Sequence, residues 1–383
     1  MRRIMRRNRA LLTRRVFGLA AVAAALSAPA ILRAGMPARY EIADLKALEH
    51  AFVDLAAEVR PSVVAIRCYQ VHHSESTEGP KVKLPVSQGS GLVIDADGNI
   101  ATNNHVIEDA DMIAVVLHDG RQFEADLRGV DTRSDLAVLH IDATGLKPVR
   151  FGDLSLVRVN QWTFACGNPF GLAFDNNGRT SITYGVVSAL GRQMTHRLTG
   201  DPDHHYYGNL IETSSTINPG NSGGPLFNVH GEAIGVVTAI ETSSGVNEGH
   251  GFAIPVDKNT RRIFETLKSG QAVRYGFIGI EVNDVEPVAA KRATDEQTVR
   301  GARVARVRSP NGPAALAGLK AKDIIVEFDG TVVENADHLV RLVQYTPVGT
   351  SAAVSFVRQG VKQATNVILG DRDDLLMLAS EKR

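Results

Sequence analysis

Cysteine is scarce: 383 residues hold only two, Cys68 and Cys166. A framework of several disulfides is therefore excluded, and one bridge is the most the chain could form in an oxidising compartment. Cys166 lies in the apolar run Trp162-Thr163-Phe164-Ala165 with no adjacent base, so two buried thiols are expected rather than a nucleophile. Net charge is lacking as well, with 42 Lys and Arg against 42 Asp and Glu. The balance is uneven, because Met1 to Ala34 carries eight Arg and no acid, leaving 34 basic against 42 acidic residues in the remainder. An acidic body of this kind disfavours a nucleic-acid partner. The amino-terminal apolar run is also short. Val16 to Leu32 gives 17 uncharged residues, at the lower edge of the roughly 17–25 that span a bilayer. With Ala28-Pro29-Ala30 as an A-x-A-like site, residues 1–34 read as a cleaved export signal, and the membrane is a partner only if that leader is retained. Thr13-Arg14-Arg15-Val16-Phe17 resembles a twin-arginine signal. Finally, the pairs His72-His73 and His204-His205 lack a matching Cys or carboxylate frame, so no metal site is expected.

What is present is enough apolar material, 44% of residues, for two or three compact cores. Ile42 to Val59 places Leu45, Leu48, Phe52, Leu55 and Val59 at helical spacing, and Pro61 follows as a stop. Beyond Pro61 come short β-rich runs (Val63 to Ile66, Gly91 to Ile94, Ile113 to Leu117, Leu136 to Ile141, Gly185 to Leu190, Ile234 to Ile240) separated by turn residues. Asp95-Ala96-Asp97-Gly98-Asn99 is a hairpin signal, and Asn228-Val229-His230-Gly231-Glu232 repeats it. The pattern predicts a mainly β chain, a barrel or sandwich. The expected divisions are 1–34, 35–60 (a helical segment), 61–270, 271–372 and a tail at 373–383.

Three segments carry chemistry. In Gly220-Asn221-Ser222-Gly223-Gly224-Pro225, glycines flank a serine so that backbone can approach a substrate unobstructed. The same string satisfies G-x-S-x-G, but a nucleophile elbow must lead into a helix, whereas Pro225-Leu226-Phe227 runs into a strand. The other chain order fits: Asn104-His105-Val106 supplies a His after an apolar strand, and Ser134-Asp135-Leu136 supplies an Asp opening one. His, then Asp, then Ser is the order of the chymotrypsin triad. A serine hydroxyl needs an imidazole to take its proton, and the imidazole needs a buried carboxylate to fix its tautomer. Backbone N–H groups at Gly220 and Ser222 would face the oxyanion.

The motifs TNNHVI, SDLAVL, GNPFGL, GVVSALGR, TINPGNSGGP and GFAIPV, in that order from about Gly89 to Val256, resemble those of the HtrA (Deg) family of serine proteases. The resemblance implies a chymotrypsin-like double β-barrel of two six-stranded barrels and an endopeptidase acting on unfolded or mislocalised exported proteins in the periplasm. It implies His105 as general base, Asp135 as its orienter, Ser222 as nucleophile, and Gly220, Asn221 and Ser222 as the oxyanion loop. It further implies a homotrimer built through the segment before the first barrel, and no cofactor or metal. A selective sensor protease of the envelope and a non-catalytic chaperone on the same fold are the alternatives. The substrate cleft is expected at Ser215, Thr216, Ile217 and His250. Ser214-Ser215 stands where the family often has Asp-Ala, and His250 where an aliphatic residue is usual, so residue preference at the scissile bond is not carried over. The polar stretch Arg192 to Gly208 corresponds to the family's link between active site and carboxy-terminal domain.

The last third has its own signature. Gly276-Phe277-Ile278-Gly279-Ile280 opens an apolar run, Ser309 to Leu319 gives a turn and short helix, Asp323 to Gly330 a strand and turn, and Asn335 to Tyr345 a second helix. This resembles a PDZ domain, a small α+β barrel in which a glycine-flanked loop offers N–H groups to a peptide's C-terminal carboxylate while the peptide adds as a strand. Gly276, Phe277, Ile278, Gly279 and Ile280 are the candidate loop. Lys322 departs from the family by standing where Gly is common before Asp323, and Val348 by standing where Pro is common.

Overall fold

The computed structural model describes residues 42–72, 82–194, 207–238, 250–285 and 300–372. The leader, His73, His204, His205, Ile240, most of the Arg192–Gly208 stretch and the tail at 373–383 lie outside the described residues. Among the described residues no helix is long and apolar enough to cross a membrane.

Helix α1 (Ile42–Val59) forms where the helical spacing predicts it. Contacts divide the chain within it, between Asp54 and Leu55. In the amino-terminal unit Leu45, Leu48 and Val53 are exposed. In the second unit Leu55 and Val59 are buried, and Pro61 ends the helix in a single 3-10 turn.

The second unit begins with a seven-stranded antiparallel sheet made of β1 (Val63–His72), β2 (Val82–Val93), β3 (Asn99–Thr102), β4 (Met112–Val116), β5 (Gln122–Glu124), β6 (Asp126–Asp131) and β7 (Leu136–His140). Their order is β5-β4-β1-β2-β3-β7-β6. β2 and β3 join through the expected Asp95–Asn99 hairpin, where the Asp95 carboxylate accepts the backbone N–H groups of Asp97 and Asn99. Val64, Ile66, Val93, Ile100, Val115 and Leu139 build its core.

The second sheet comprises β8 (Arg150–Phe151), β9 (Trp162–Gly167), β10 (Ser181–Met194), β11 (Tyr207–Thr213), β12 (Pro225–Phe227), β13 (Glu232–Thr238) and β14 (Gly251–Pro255). Its order is β12-β9-β10-β11-β14-β13-β8, and β12 also pairs with β13, closing the circle. The single-turn helix α2 (Leu172–Asp175) follows β9. Both sheets accord with the six strands that the resemblance implies: only Ala125, whose N–H bonds the Ile113 carbonyl at 2.9 Å, separates β5 from β6, so the two form one bent strand that pairs with β4 at one end and β7 at the other, and β8 is a two-residue addition pairing in parallel with β13.

Helix α3 (Lys258–Lys268) leaves the second sheet and lies against the first. Asp257 caps its start, accepting from the N–H groups of Asn259 and Thr260 at 2.8 and 2.9 Å, a cap worth about 1 kcal/mol. Its buried stripe is Thr260, Ile263, Phe264 and Leu267, and a Cβ on Gly129 of β6 would meet the Leu267 carbonyl at 3.0 Å.

The carboxy-terminal domain is a sheet of β16 (Ile280–Asp284), β17 (Ala302–Val307), β18 (Ile324–Phe328), β20 (Ser351–Arg358) and β21 (Val361–Ile368), with β19 (Thr331–Val332) beside β18. A two-residue pairing joins β15 (Gly276–Phe277) to β22 (Gly370–Asp371). Helices α4 (Pro313–Leu316) and α5 (Ala336–Tyr345) flank the sheet, the latter capped by Asn335, whose side chain accepts the His338 N–H at 2.8 Å. Ile278, Val304, Ile325, Phe328, Leu339 and Val354 form its core. Lys322 has φ of 76°, the left-handed conformation that explains why Gly is common there.

Candidate active site

His105 and Asp135 sit on loops at the same end of the paired strands β3 and β7 of the first sheet. β3 ends at Thr102, and a 3-10 turn (Asn104–Val106) turns the chain so that His105 faces the start of β7. There Asp135, with φ of 53°, is one of the few residue types that tolerate a left-handed backbone. Its side chain is fully buried. One carboxylate oxygen accepts the His105 backbone N–H at 3.0 Å, and the other lies 2.8 Å from His105 Nδ1. Its carbonyl accepts from Asn103 Nδ2 at 2.9 Å and from the Asn104 N–H at 3.2 Å. A buried carboxylate without partners would cost several kcal/mol. Here two donors from one histidine satisfy it, and they fix the ring with Nδ1 toward Asp135.

Ser222 belongs to the second sheet, on the loop between β11 and β12. Gly220 and Gly223 have φ of 99° and 82°, so the nucleophile candidate lies between two left-handed positions. Gly223 is required sterically too: a Cβ would lie 2.2 Å from both the Ser90 carbonyl and Thr102 Oγ1. Thr102 leads directly to His105, so the structure brings the Ser222 loop against the segment that carries the histidine. The Asn221 N–H bonds the Asn218 carbonyl at 3.0 Å and its side chain is buried, so Asn221 shapes the loop from within.

Ser90, to which the sequence reading gave no role, holds the two sheets together at this point. It is fully buried on β2. Its N–H donates to the Ser222 carbonyl at 2.8 Å and its hydroxyl to the Gly220 carbonyl at 2.7 Å, while Oγ accepts the Asn168 N–H at 2.8 Å. The available signal was Gly89-Ser90-Gly91, a polar residue framed by glycines where β2 passes from polar Ser87 and Gln88 to apolar Leu92 and Val93.

The expected cleft residues divide. Ser215 faces inward, contrary to expectation: it is fully buried, with its hydroxyl bonded to Thr163 Oγ1 at 3.0 Å and Thr213 Oγ1 at 3.1 Å. Thr213 and Ser215 lie two apart and share the inner face, which leaves Ser214 and Thr216 exposed. Ile217 is buried, and a Cβ on Gly251 would come within 2.4 Å of its Cδ1, which puts His250 next to this segment. The His250 ring is exposed, with Nδ1 2.8 Å from Glu212 Oε1, while Arg192 Nε bonds Glu212 Oε2 at 2.5 Å. Burial pushes the Glu212 carboxyl up, but the hydrogen bonds from His250 and Arg192 outweigh it and hold the group below its ordinary value.

Both thiols are free and buried, as expected. Burial raises Cys68, and pushes Cys166 up to about 11. His72 ends β1 exposed, and among the described residues no three potential metal ligands cluster.

A second cluster lies four residues before Asp135. Asp131 is buried and accepts from the Ser134 hydroxyl and from the hydroxyl of Tyr275, which precedes the carboxy-terminal domain. Burial raises the Asp131 carboxyl, and burial together with the neighbouring carboxylate raises the Tyr275 phenol. Arg133 stacks over the Tyr275 ring at 5.3 Å and donates to Gln344 Oε1 of α5 at 2.8 and 3.3 Å. The candidate peptide loop, Gly276 to Ile280, lines a cavity of about 180 Å³ together with Arg133, Leu339, Val343 and Gln344.

Residues 89–236 match the family described as trypsin-like peptidase domain, and residues 276–369 match PDZ domain. A protein of Halomonas elongata named probable periplasmic serine endoprotease DegP-like is 39% identical over 288 residues, covering 75% of this chain and 57% of that protein. The Brucella suis protein of the same name is 40% identical over 293 residues, covering 76% and 54%. The matched region thus spans little more than half the length of these curated relatives. The solved structure titled HtrA-type protease AlgW with decapeptide superposes with a TM-score of 0.68 at 31% identity, covering 84% of this chain and 98% of that one. A serine endoprotease from Yersinia pestis gives a TM-score of 0.57 at 30% identity, with 84% and 97% covered.

Proposed function

We propose, on the premise that this chain belongs to the HtrA family of serine proteases, that it is an endopeptidase in which Ser222, His105 and Asp135 form the catalytic triad. The observation that carries this reading is the buried Asp135 carboxylate holding His105 through both its backbone N–H and Nδ1. With Nδ1 protonated and bonded to Asp135, Nε2 is the acceptor. Ser222 Oγ adds to the scissile carbonyl carbon as its proton passes to Nε2. The tetrahedral oxyanion is met by backbone N–H groups at Gly220 and Ser222, since the Asn221 N–H is committed to Asn218. Collapse breaks the C–N bond, and His105 gives its proton to the departing amine. Water then enters and adds to the acyl-Ser222 ester as its proton passes to His105, and collapse breaks the C–Oγ bond, with His105 returning that proton to Ser222 Oγ as the acid leaves.

The substrates we assign are unfolded or mislocalised exported proteins in the periplasm, the compartment in the names of the curated relatives. Residues 276–369 would bind peptide C-termini through Gly276 to Ile280. A homotrimer formed through residues 35–60 accords with the exposed Leu45, Leu48 and Val53 on α1. A selective sensor protease is the second reading. It is favoured by the Arg133–Gln344 bond, which joins the carboxy-terminal domain to the segment just before Asp135, and by the bond from Tyr275, at the domain's threshold, to Asp131.

Cleavage of reduced casein by the chain and by its Ser222→Ala variant, with and without a hydrophobic C-terminal peptide, tests the proposal. Hydrolysis that vanishes in the variant is expected. Retained hydrolysis overturns the triad, and cleavage of one target but not of casein moves the weight to the sensor reading.

A further inference from the structure

The left-handed backbone of Asp135, at φ of 53°, is a conformation that a residue with a side chain keeps only where its surroundings over-determine it. Hydrogen bonds to that backbone do so here. The Asp135 N–H reaches the Thr132 carbonyl at 3.3 Å, and the Asp135 carbonyl accepts the Asn104 N–H at 3.2 Å. Both lie at or beyond the long end of the N–H···O range. The bond from Asn103 Nδ2 to the same carbonyl is 2.9 Å, the usual length, and is the firmest of the three. The backbone at this position decides where the carboxylate points, and the carboxylate must meet the His105 N–H at 3.0 Å and Nδ1 at 2.8 Å together.

Asn103 is itself fully buried, directly after β3 and at the start of the 3-10 turn that carries His105. It also abuts the other sheet: a Cβ on Gly223, the residue after Ser222, would lie 3.1 Å from Asn103 N. Its Oδ1 is buried and has no hydrogen-bond partner among the described residues. Turning the amide over would set oxygen against oxygen at the Asp135 carbonyl. The side chain therefore keeps its NH₂ on that carbonyl while its own oxygen goes without a donor, an arrangement that adds little to stability.

We infer that Asn103 is a positioning residue for the triad, holding the Asp135 backbone so that its carboxylate fixes His105. The inference rests on the triad reading. Asn103 touches none of the reacting atoms and, being buried, meets no substrate. Its effect passes through Asp135 alone and falls on the chemical step.

The test uses the full chain with Asn103→Ala, which removes the donor and the stranded oxygen together, and Asn103→Leu, which removes the donor and keeps a side chain of similar outline. Each is read by cleavage of labelled reduced casein, by the rate at which a fluorophosphonate labels Ser222, and by a urea melt. Both variants are expected to lose ~10–10²-fold in kcat and in labelling rate, the scale of a displacement of about 1 Å, with KM within about twofold. The same substitutions in an Asp135→Asn background are expected to bring no further loss beyond about twofold, because the group they position has already lost its function. A merely structural role would lower activity by the same factor in both backgrounds, and that result overturns the inference. So do a kcat within about threefold of the parent, a loss that follows a fall in the urea midpoint, and failure of both variants to fold. If Ser222→Ala retains hydrolysis, the triad reading fails and this inference with it; if Ser222→Ala is inactive and the Asn103 variants are unimpaired, this inference fails alone.

Discussion

Asp135→Asn separates the chemical role of the carboxylate from its structural one. Asn has nearly the same shape and tolerates the left-handed backbone at φ of 53°, so the turn into β7 can stay as it is. Its oxygen can still accept the His105 backbone N–H, now at 3.0 Å. Its NH₂ then faces Nδ1 across what is now a 2.8 Å contact. A donor facing Nδ1 forces the proton onto Nε2, the tautomer that cannot accept the Ser222 proton. The expected loss in kcat is ~10⁴-fold, about 5.5 kcal/mol of transition-state stabilisation, with KM little changed. The assay is cleavage of fluorescently labelled reduced casein alongside a urea melt of the same preparation. A loss under about tenfold refutes the tautomer mechanism. So does a large loss that merely follows a drop in the melting midpoint.

Three further outcomes are expected. Ser90→Ala removes a buried hydroxyl bonded to the Gly220 carbonyl and the Asn168 N–H; it should cost about 1–3 kcal/mol in urea unfolding and lower kcat on casein at a temperature where the variant remains folded, and unchanged kcat would show that the Ser222 loop holds its shape without it. Lys322→Gly relieves a left-handed lysine at φ of 76° and should raise the stability of the chain in urea by up to about 1 kcal/mol, whereas a lowered midpoint would mean that the lysine side chain makes compensating contacts. Asp131 has its carboxyl raised by burial, so the folded state holds that proton to higher pH than the unfolded one. Its contribution to stability is then present below the ordinary carboxylate range and is lost as pH rises through the raised folded value. Urea unfolding of Asp131→Asn should therefore weaken less than that of the parent between about pH 4 and pH 7, and parallel pH profiles would contradict the assignment.

The segments proposed to carry the triad stand out in the sequence because each role demands its own residue type and the order along the chain is informative. Glycines around Ser222 and the apolar strands beside His105 and Asp135 added independent constraints. The six β-rich runs each fall on a strand, but the pattern left other strands unmarked and cut some short: β1 runs on to His72 and β10 spans Ser181–Met194. Extensions into polar residues are held by pairing with a neighbour, which no local pattern records. Ser215 was misplaced although the signal existed, since the alternation from Thr213 put it on the buried face. The bond from Tyr275 to Asp131 crosses 144 positions of sequence. Nothing in either local segment announces it.

The division of the proposed triad between two sheets has a consequence for how this protein fails. His105 and Asp135 are fixed to one sheet and Ser222 to the other, and Ser90 is a hydrogen-bonded seam between them. Each sheet has its own apolar core, so either can stay folded while the two slide slightly. Displacement of about 1 Å between reacting groups can lower a rate ~10²-fold. Turnover thus gauges the alignment of the halves rather than the folding of either, and on warming it should fade while circular dichroism still reports intact β structure.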